Sequence, residues 1–146
     1  MVFSSARNEE GSTLLLTIFY AALSLALILI VVATTSLYLE RKRLFTLADG
    51  AALVGAEAFD LGSVVSTTHG YRPTLKSGDV ASAVADYIAD NPIEGIRRIR
   101  VERATTVDGR SATVELSAYW SPPIASLLVP KGFRITVTSV ARSVFS

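Results

Sequence analysis

From Thr13 to Leu37 the chain runs for 25 residues without a charge, and the run ends in Tyr38-Leu39-Glu40-Arg41-Lys42-Arg43. Such a stretch is long enough to cross the roughly 30 Å hydrocarbon core of a bilayer with some tilt. It is apolar on every face, which a helix in a water-exposed fold has little use for. Immediately beyond the basic cluster, Leu44 to Phe59 is built from helix formers and small residues, with no Pro to stop it. The pattern predicts a spanning helix that continues into water. A signal peptide cut near Val31-Val32-Ala33 is the competing reading. Against it, the apolar run far exceeds the roughly 7–15 residues of a signal core, and the preceding tail is not strongly basic.

The continuation has its own pattern. Leu44, Ala48, Ala51, Gly55 and Ala58 recur at spacings of three and four and share one helix face, a packing seam. Asp49, Glu57 and Asp60 lie off it. Gly50 and Gly55 each cost about 1 kcal/mol of helix propensity against Ala, so a close neighbour is expected on this side of the helix. Two neighbours fit: the chain's own globular part, or the helix of another subunit. On the second reading Gly55→Leu weakens helix association and leaves the globular part folded.

The chain divides into a polar tail (1–12), a transmembrane helix (13–38), a helical extension (39–61) and a small head (62–146). Ser12 or Thr13 is the expected helix start, and Leu61-Gly62 the expected stop. Ser63 to Gly78 reads as a loop punctuated by Gly70, Pro73 and Gly78. A second helix is expected from Asp79 to Asp90, with Val80, Val84, Tyr87 and Ile88 as its buried stripe and Ser77 or Asp79 as its cap. Asn91-Pro92 ends it.

Three strands follow, as 96–107, 111–120 and 133–144, the first two joined at Asp108-Gly109, a strong hairpin signal. Ala112, Val114, Leu116, Ala118 and Trp120 alternate with Thr113, Glu115, Ser117 and Tyr119. A two-residue turn pairs Val101 with Leu116 and Ile99 with Ala118. It also sets Glu102 opposite Glu115, which is unfavourable unless Arg100 or a bulge relieves it. Ile124 to Val129 is a short apolar excursion, read either as a turn of helix over the core edge or as an exposed patch for a membrane or partner. The fold class is therefore α+β: a long N-terminal transmembrane helix running into a small-residue helix, a second helix, and a three-stranded antiparallel sheet.

Little here points to chemistry. There is no Cys, so no disulfide framework or thiolate metal site. The single His69 stands beside Thr67 and Thr68 without an evident orienting partner. Asp86 and Asp90 share a helix face but lack a third ligand in the sequence. Net charge is +1, without the basic excess of a nucleic-acid-binding domain. The sequence is read as that of a non-enzyme with no catalytic, cofactor or metal residues, whose role is structural or in binding.

The segment Arg43 to Ala58, with Leu47-Ala48-Asp49-Gly50-Ala51-Ala52-Leu53-Val54-Gly55-Ala56 at its centre, resembles the Ala-Asp-Ala-rich signature that follows the N-terminal helix in TadE/TadG-like proteins of the Flp (Tad) pilus assembly system. The resemblance covers Gly11 to Phe59 and implies a pilin-like plan. Processed pseudopilins carry a Glu five residues after a Gly; here Leu16 follows Gly11, so the resemblance is to the unprocessed, TadG-like branch. It implies a membrane-anchored minor component assisting pilus assembly, with the tail in the cytoplasm and the head outside. The implied partners are the bilayer and other pilin, pseudopilin or pilus-assembly membrane proteins, met through helices as homo- or hetero-oligomers. The Arg41-Lys42-Arg43 cluster argues for the opposite orientation. On that alternative the chain is a single-pass sensor or adaptor with a cytoplasmic head.

Overall fold

A computed structural model describes residues 7–59, 65–67, 70–72, 74–94, 96–121 and 132–142. The chain divides into two compact units, Met1–Ser36 and Leu37–Ser146. One helix, α1 (Arg7–Glu57), contributes to both. It begins five residues before Ser12. Residues 1–6 of the expected tail lie outside the described residues.

In the first unit every side chain from Ser12 to Ser36 is exposed or partly exposed, and none is buried. The two hydroxyls of Thr17 and Thr34 turn back onto their own helix, donating to Thr13 O at 2.8 Å and Ile30 O at 2.9 Å. This satisfies polar groups without water, as a hydrocarbon environment requires. The helix is long and apolar enough to cross a membrane.

The second unit is an α+β head built around the last 21 residues of α1. Beyond α1 come β1 (Val65–Thr67), β2 (Gly70–Arg72), α2 (Ser77–Asp90), β3 (Arg97–Thr105), β4 (Ser111–Trp120) and β5 (Phe133–Arg142). The larger sheet is antiparallel in the order β3-β4-β5. Its core face supplies Ala112, Val114, Leu116, Ala118 and Val137; α1 supplies Leu44, Leu47, Ala48, Ala51, Ala52 and Ala56; α2 adds Val80 and Val84. Tyr87 and Ile88 pack against this core half-buried, completing the α2 stripe.

Several local expectations change. β1 and β2 pair antiparallel inside the stretch read as a loop, with Thr67 opposite Gly70. Their three-residue length is too short to leave a periodic signal. α2 begins at Ser77, preceded by Lys76, which makes no side-chain cap. Ser77 does not cap the helix because its hydroxyl meets Thr105 Oγ1 at 2.9 Å, fastening α2 to the end of β3. At the other end Asn91 caps through its backbone N–H and Nδ2, both donating to Tyr87 O. α1 ends at Glu57 in a tight turn, with Ala58 N–H donating to Gly55 O. The expected stop at Leu61-Gly62, the excursion 124–129 and His69 lie outside the described residues.

Candidate functional site: the helix seam and the sheet it carries

The seam residues are set out along α1 in the head unit. Leu44, Ala48, Ala51 and Gly55 are buried there, and Ala58, just past the helix, is half-buried. Residue size explains how closely α1 lies on its neighbours. A Cβ on Gly55 would come within 3.1 Å of Val80 Cγ1, 3.2 Å of Val84 Cγ2 and 3.3 Å of Ala112 Cβ. One on Gly50 would run into the Tyr87 hydroxyl. The two glycines that weaken the helix therefore admit α2 and the start of β4. Gly55→Leu would disturb this core, so the variant does not separate helix association from head folding.

Asp49, off the seam, ties α1 to the sheet: Ser139 Oγ donates to Asp49 Oδ1 at 2.9 Å. Ser139 is buried on the core face of β5, where a hydroxyl needs a partner. Sequence reading missed this pair because its members are 90 residues apart. The signal was a Ser placed on the Val137 side of an alternating strand.

The hairpin resolves the expected clash of carboxylates with a bulge. Val101 does pair with Leu116, but the next pair is Arg103 with Glu115, leaving Glu102 as the extra residue. Glu102 then reaches across the outer face of the sheet. It accepts from Ser117 Oγ at 2.6 Å and from Arg134 Nη2 at 2.7 Å. The Ser117 hydrogen bond, then Arg134, hold its carboxyl below the ordinary range. Ser117, expected on the outward face, is only 1% exposed because Glu102 and its neighbours cover it. Arg103 meanwhile faces Glu115 at 3.7 Å. A second register shift lies between Arg97 and Arg100, so Ile99 does not pair with Ala118. Arg98 there takes φ +57°, in the left-handed region.

The turn itself is organised by Asp108. Its Oδ1 accepts from the N–H groups of Arg110 and Ser111 at 2.9 and 2.7 Å, and its Oδ2 accepts from Ser111 Oγ at 2.8 Å. These bonds, the Arg110 amide first, lower its pKa to about 2. Gly109 at φ +67° closes the turn, and its carbonyl accepts from Leu75 N–H ahead of α2.

These are contacts that build a rigid head on a helix. Asp86 and Asp90 are exposed on α2, and among the described residues no three His, Asp or Glu side chains gather to hold a metal ion.

Residues 11–58 match the family model for the TadE/G-like Flp pilus-assembly domain. The match spans the apolar length of α1 together with the seam, and it ends where the helix ends. No match was found among curated proteins or among solved structures. The family match and the membrane-span-like helix together support a pilus-assembly-related membrane protein.

Proposed function

We propose that the chain is a minor, pseudopilin-like component that assists assembly or anchoring of a Tad/Flp-type pilus or a related secretion apparatus. Its tail lies in the cytoplasm and its head outside the membrane. The observation that carries this reading is the match over residues 11–58, which covers the whole working length of α1 rather than the head. Exposed apolar side chains of this half, such as Leu14, Leu23, Leu27 and Val31, can meet lipid and the helices of other pilin or pseudopilin subunits. In this division of labour the seam Leu44, Ala48, Ala51, Gly55 and Ala58 holds the head on its helix, and the apolar half makes the contacts between subunits.

The test replaces residues 13–36 with an unrelated apolar span of equal length in the native host. Surface pili should fall to the level of a deletion strain although the protein still fractionates with the membrane. Wild-type piliation by this chimera overturns a role for the helix beyond anchoring. The second reading, a sensor or adaptor with a cytoplasmic head, is favoured by one observation: Arg41, Lys42 and Arg43 are all exposed directly after the apolar run.

A further inference from the structure

The single Trp of the chain closes one end of the head. Trp120 is the last residue of β4 and pairs with Phe133, the first of β5. Their rings lie 6.3 Å apart, with Trp120 nearly buried and Phe133 53% exposed. Gly132, at φ +66°, brings the chain so near the Trp120 carbonyl that a Cβ there would collide with it. The neighbouring pairs are Tyr119 with Arg134 and Tyr119 with Arg97, and the Arg98 guanidinium lies 5.9 Å from the centre of the Tyr119 ring.

The register says which way this end points within the head. Gly55, near the end of α1, abuts Ala112 near the start of β4. Asp49 bonds to Ser139, the partner of Val114. α1 and β4 therefore run in opposite directions. Trp120 is six residues beyond Val114, about 20 Å at ~3.3 Å per strand residue. The same distance back along α1 from Asp49 covers about 10–13 residues at ~1.5 Å each, allowing for strand tilt. That reaches the juxtamembrane stretch. Glu40, on the side of α1 that bears Leu44 and Leu47, agrees with this placement: its Oε2 is out of solvent.

The basic cluster lies six to eight residues back from Asp49, so the aromatic end of the sheet reaches past it toward the end of the apolar run. Tyr38, Arg41, Lys42 and Arg43 are exposed at this end of the head, as are Arg98, Arg134 and Phe133. Of these five cations, Arg43 and Arg134 are paired with Glu40 and Glu102. Aromatic rings with Arg and Lys are the side chains a bilayer interface takes up, and anionic headgroups attract such a cluster.

We propose that this end of the head seats on the bilayer surface, with Phe133, Trp120 and Tyr119 at the headgroup level and Arg41, Lys42 and Arg98 on anionic phospholipid headgroups. The inference rests on the membrane-anchored reading, since the apolar run ends at Leu39, only five residues before the first core side chain, Leu44. The basic cluster then serves as a surface contact on whichever leaflet the head meets.

The test uses the full chain in phosphatidylcholine vesicles with and without phosphatidylglycerol, and Trp120 as the only indole. A nitroxide on the lipid headgroup should quench Trp120 at least twofold more in the anionic vesicles than in neutral ones. High salt, or Arg41→Gln with Lys42→Gln on the exposed side of α1, should remove most of that difference while the emission maximum in detergent is unchanged. Moving the indole outward with Trp120→Phe and Phe133→Trp should raise the headgroup quenching. Floating protein whose Trp120 is quenched by the headgroup nitroxide no more in anionic vesicles than in neutral ones overturns the proposal and leaves the anchor intact. Quenching protection that scales with protein density, not with anionic lipid, gives this end to a second copy and also overturns it. Protein that fails to float with the vesicles refutes the anchored reading itself.

Discussion

The two halves of α1 are both apolar and both helical, yet they do opposite things. From Ser12 to Ser36 large Leu, Ile and Val side chains cover every face and none is buried. From Leu44 to Ala56 the helix puts Leu44, Leu47, Ala48, Ala51, Ala52 and Ala56 inside a core and keeps Phe45 and Leu53 outside. The halves differ not only in hydrophobicity but in side-chain size and distribution. A helix that offers bulk all round can be covered only by something that surrounds it, such as lipid. A helix with Ala and Gly along one side admits a sheet and a second helix at close range. The six charged residues between Glu40 and Glu57 mark the change of surroundings.

Four substitutions, taken in two pairs, sharpen this contrast, and the largest effect belongs to the core half. Leu44→Ala removes a fully buried side chain and should destabilise the head by about 2–5 kcal/mol. Leu27→Ala, an equal truncation in the other half, should leave head stability within about 0.5 kcal/mol. Thermal unfolding followed by near-UV circular dichroism of Trp120 in detergent compares the two; equal losses would erase the distinction. Next, Gly55→Leu forces side-chain atoms against Val80, Val84 and Ala112 and should cost about 1–3 kcal/mol. Ala26→Leu in the apolar half meets no protein neighbour and should be silent by the same measurement.

Acid provides a smaller, graded contrast. Asp108 titrates at about 2 in the folded head against an ordinary 3.8. A depressed carboxyl pKa adds stability that is complete above the unfolded value and lost as pH falls through the folded one. Head stability should therefore decline from about pH 4 to pH 2, with Glu102 adding to the decline in the same direction. Asp108→Asn should flatten part of that decline, read from unfolding midpoints across the pH series. The far-UV signal of the apolar half, which carries no carboxylate from Ser12 to Leu37, should not follow the transition.

How much of this was legible in sequence follows from the range of the forces involved. The strand β4 and the buried stripe of α2 were readable because each is a periodic pattern judged against one core. The seam positions were visible too. Periodicity alone left open what they pack against, and the head they meet is distant in sequence. Ser77 was misread as a cap because its partners at Thr105 and Thr106 come from another element. The Glu102 bulge was one of two ways to avoid a carboxylate pair. Only the position of Arg134 on β5, which gives the displaced carboxylate a cation, decides between them. Ser117 is buried for the same reason, so an outward place in an alternating strand did not make it accessible.

The central claim is that one helix both anchors the chain and carries a head outside the membrane. It is tested most directly by a single cysteine at Val107, beside the hairpin turn, where the side chain is 91% exposed and the native sequence offers no competing thiol. Val107→Cys in intact cells of the native host should react with a membrane-impermeant maleimide to the same extent as in lysate. Labelling that appears only after lysis would place the head in the cytoplasm and contradict the account.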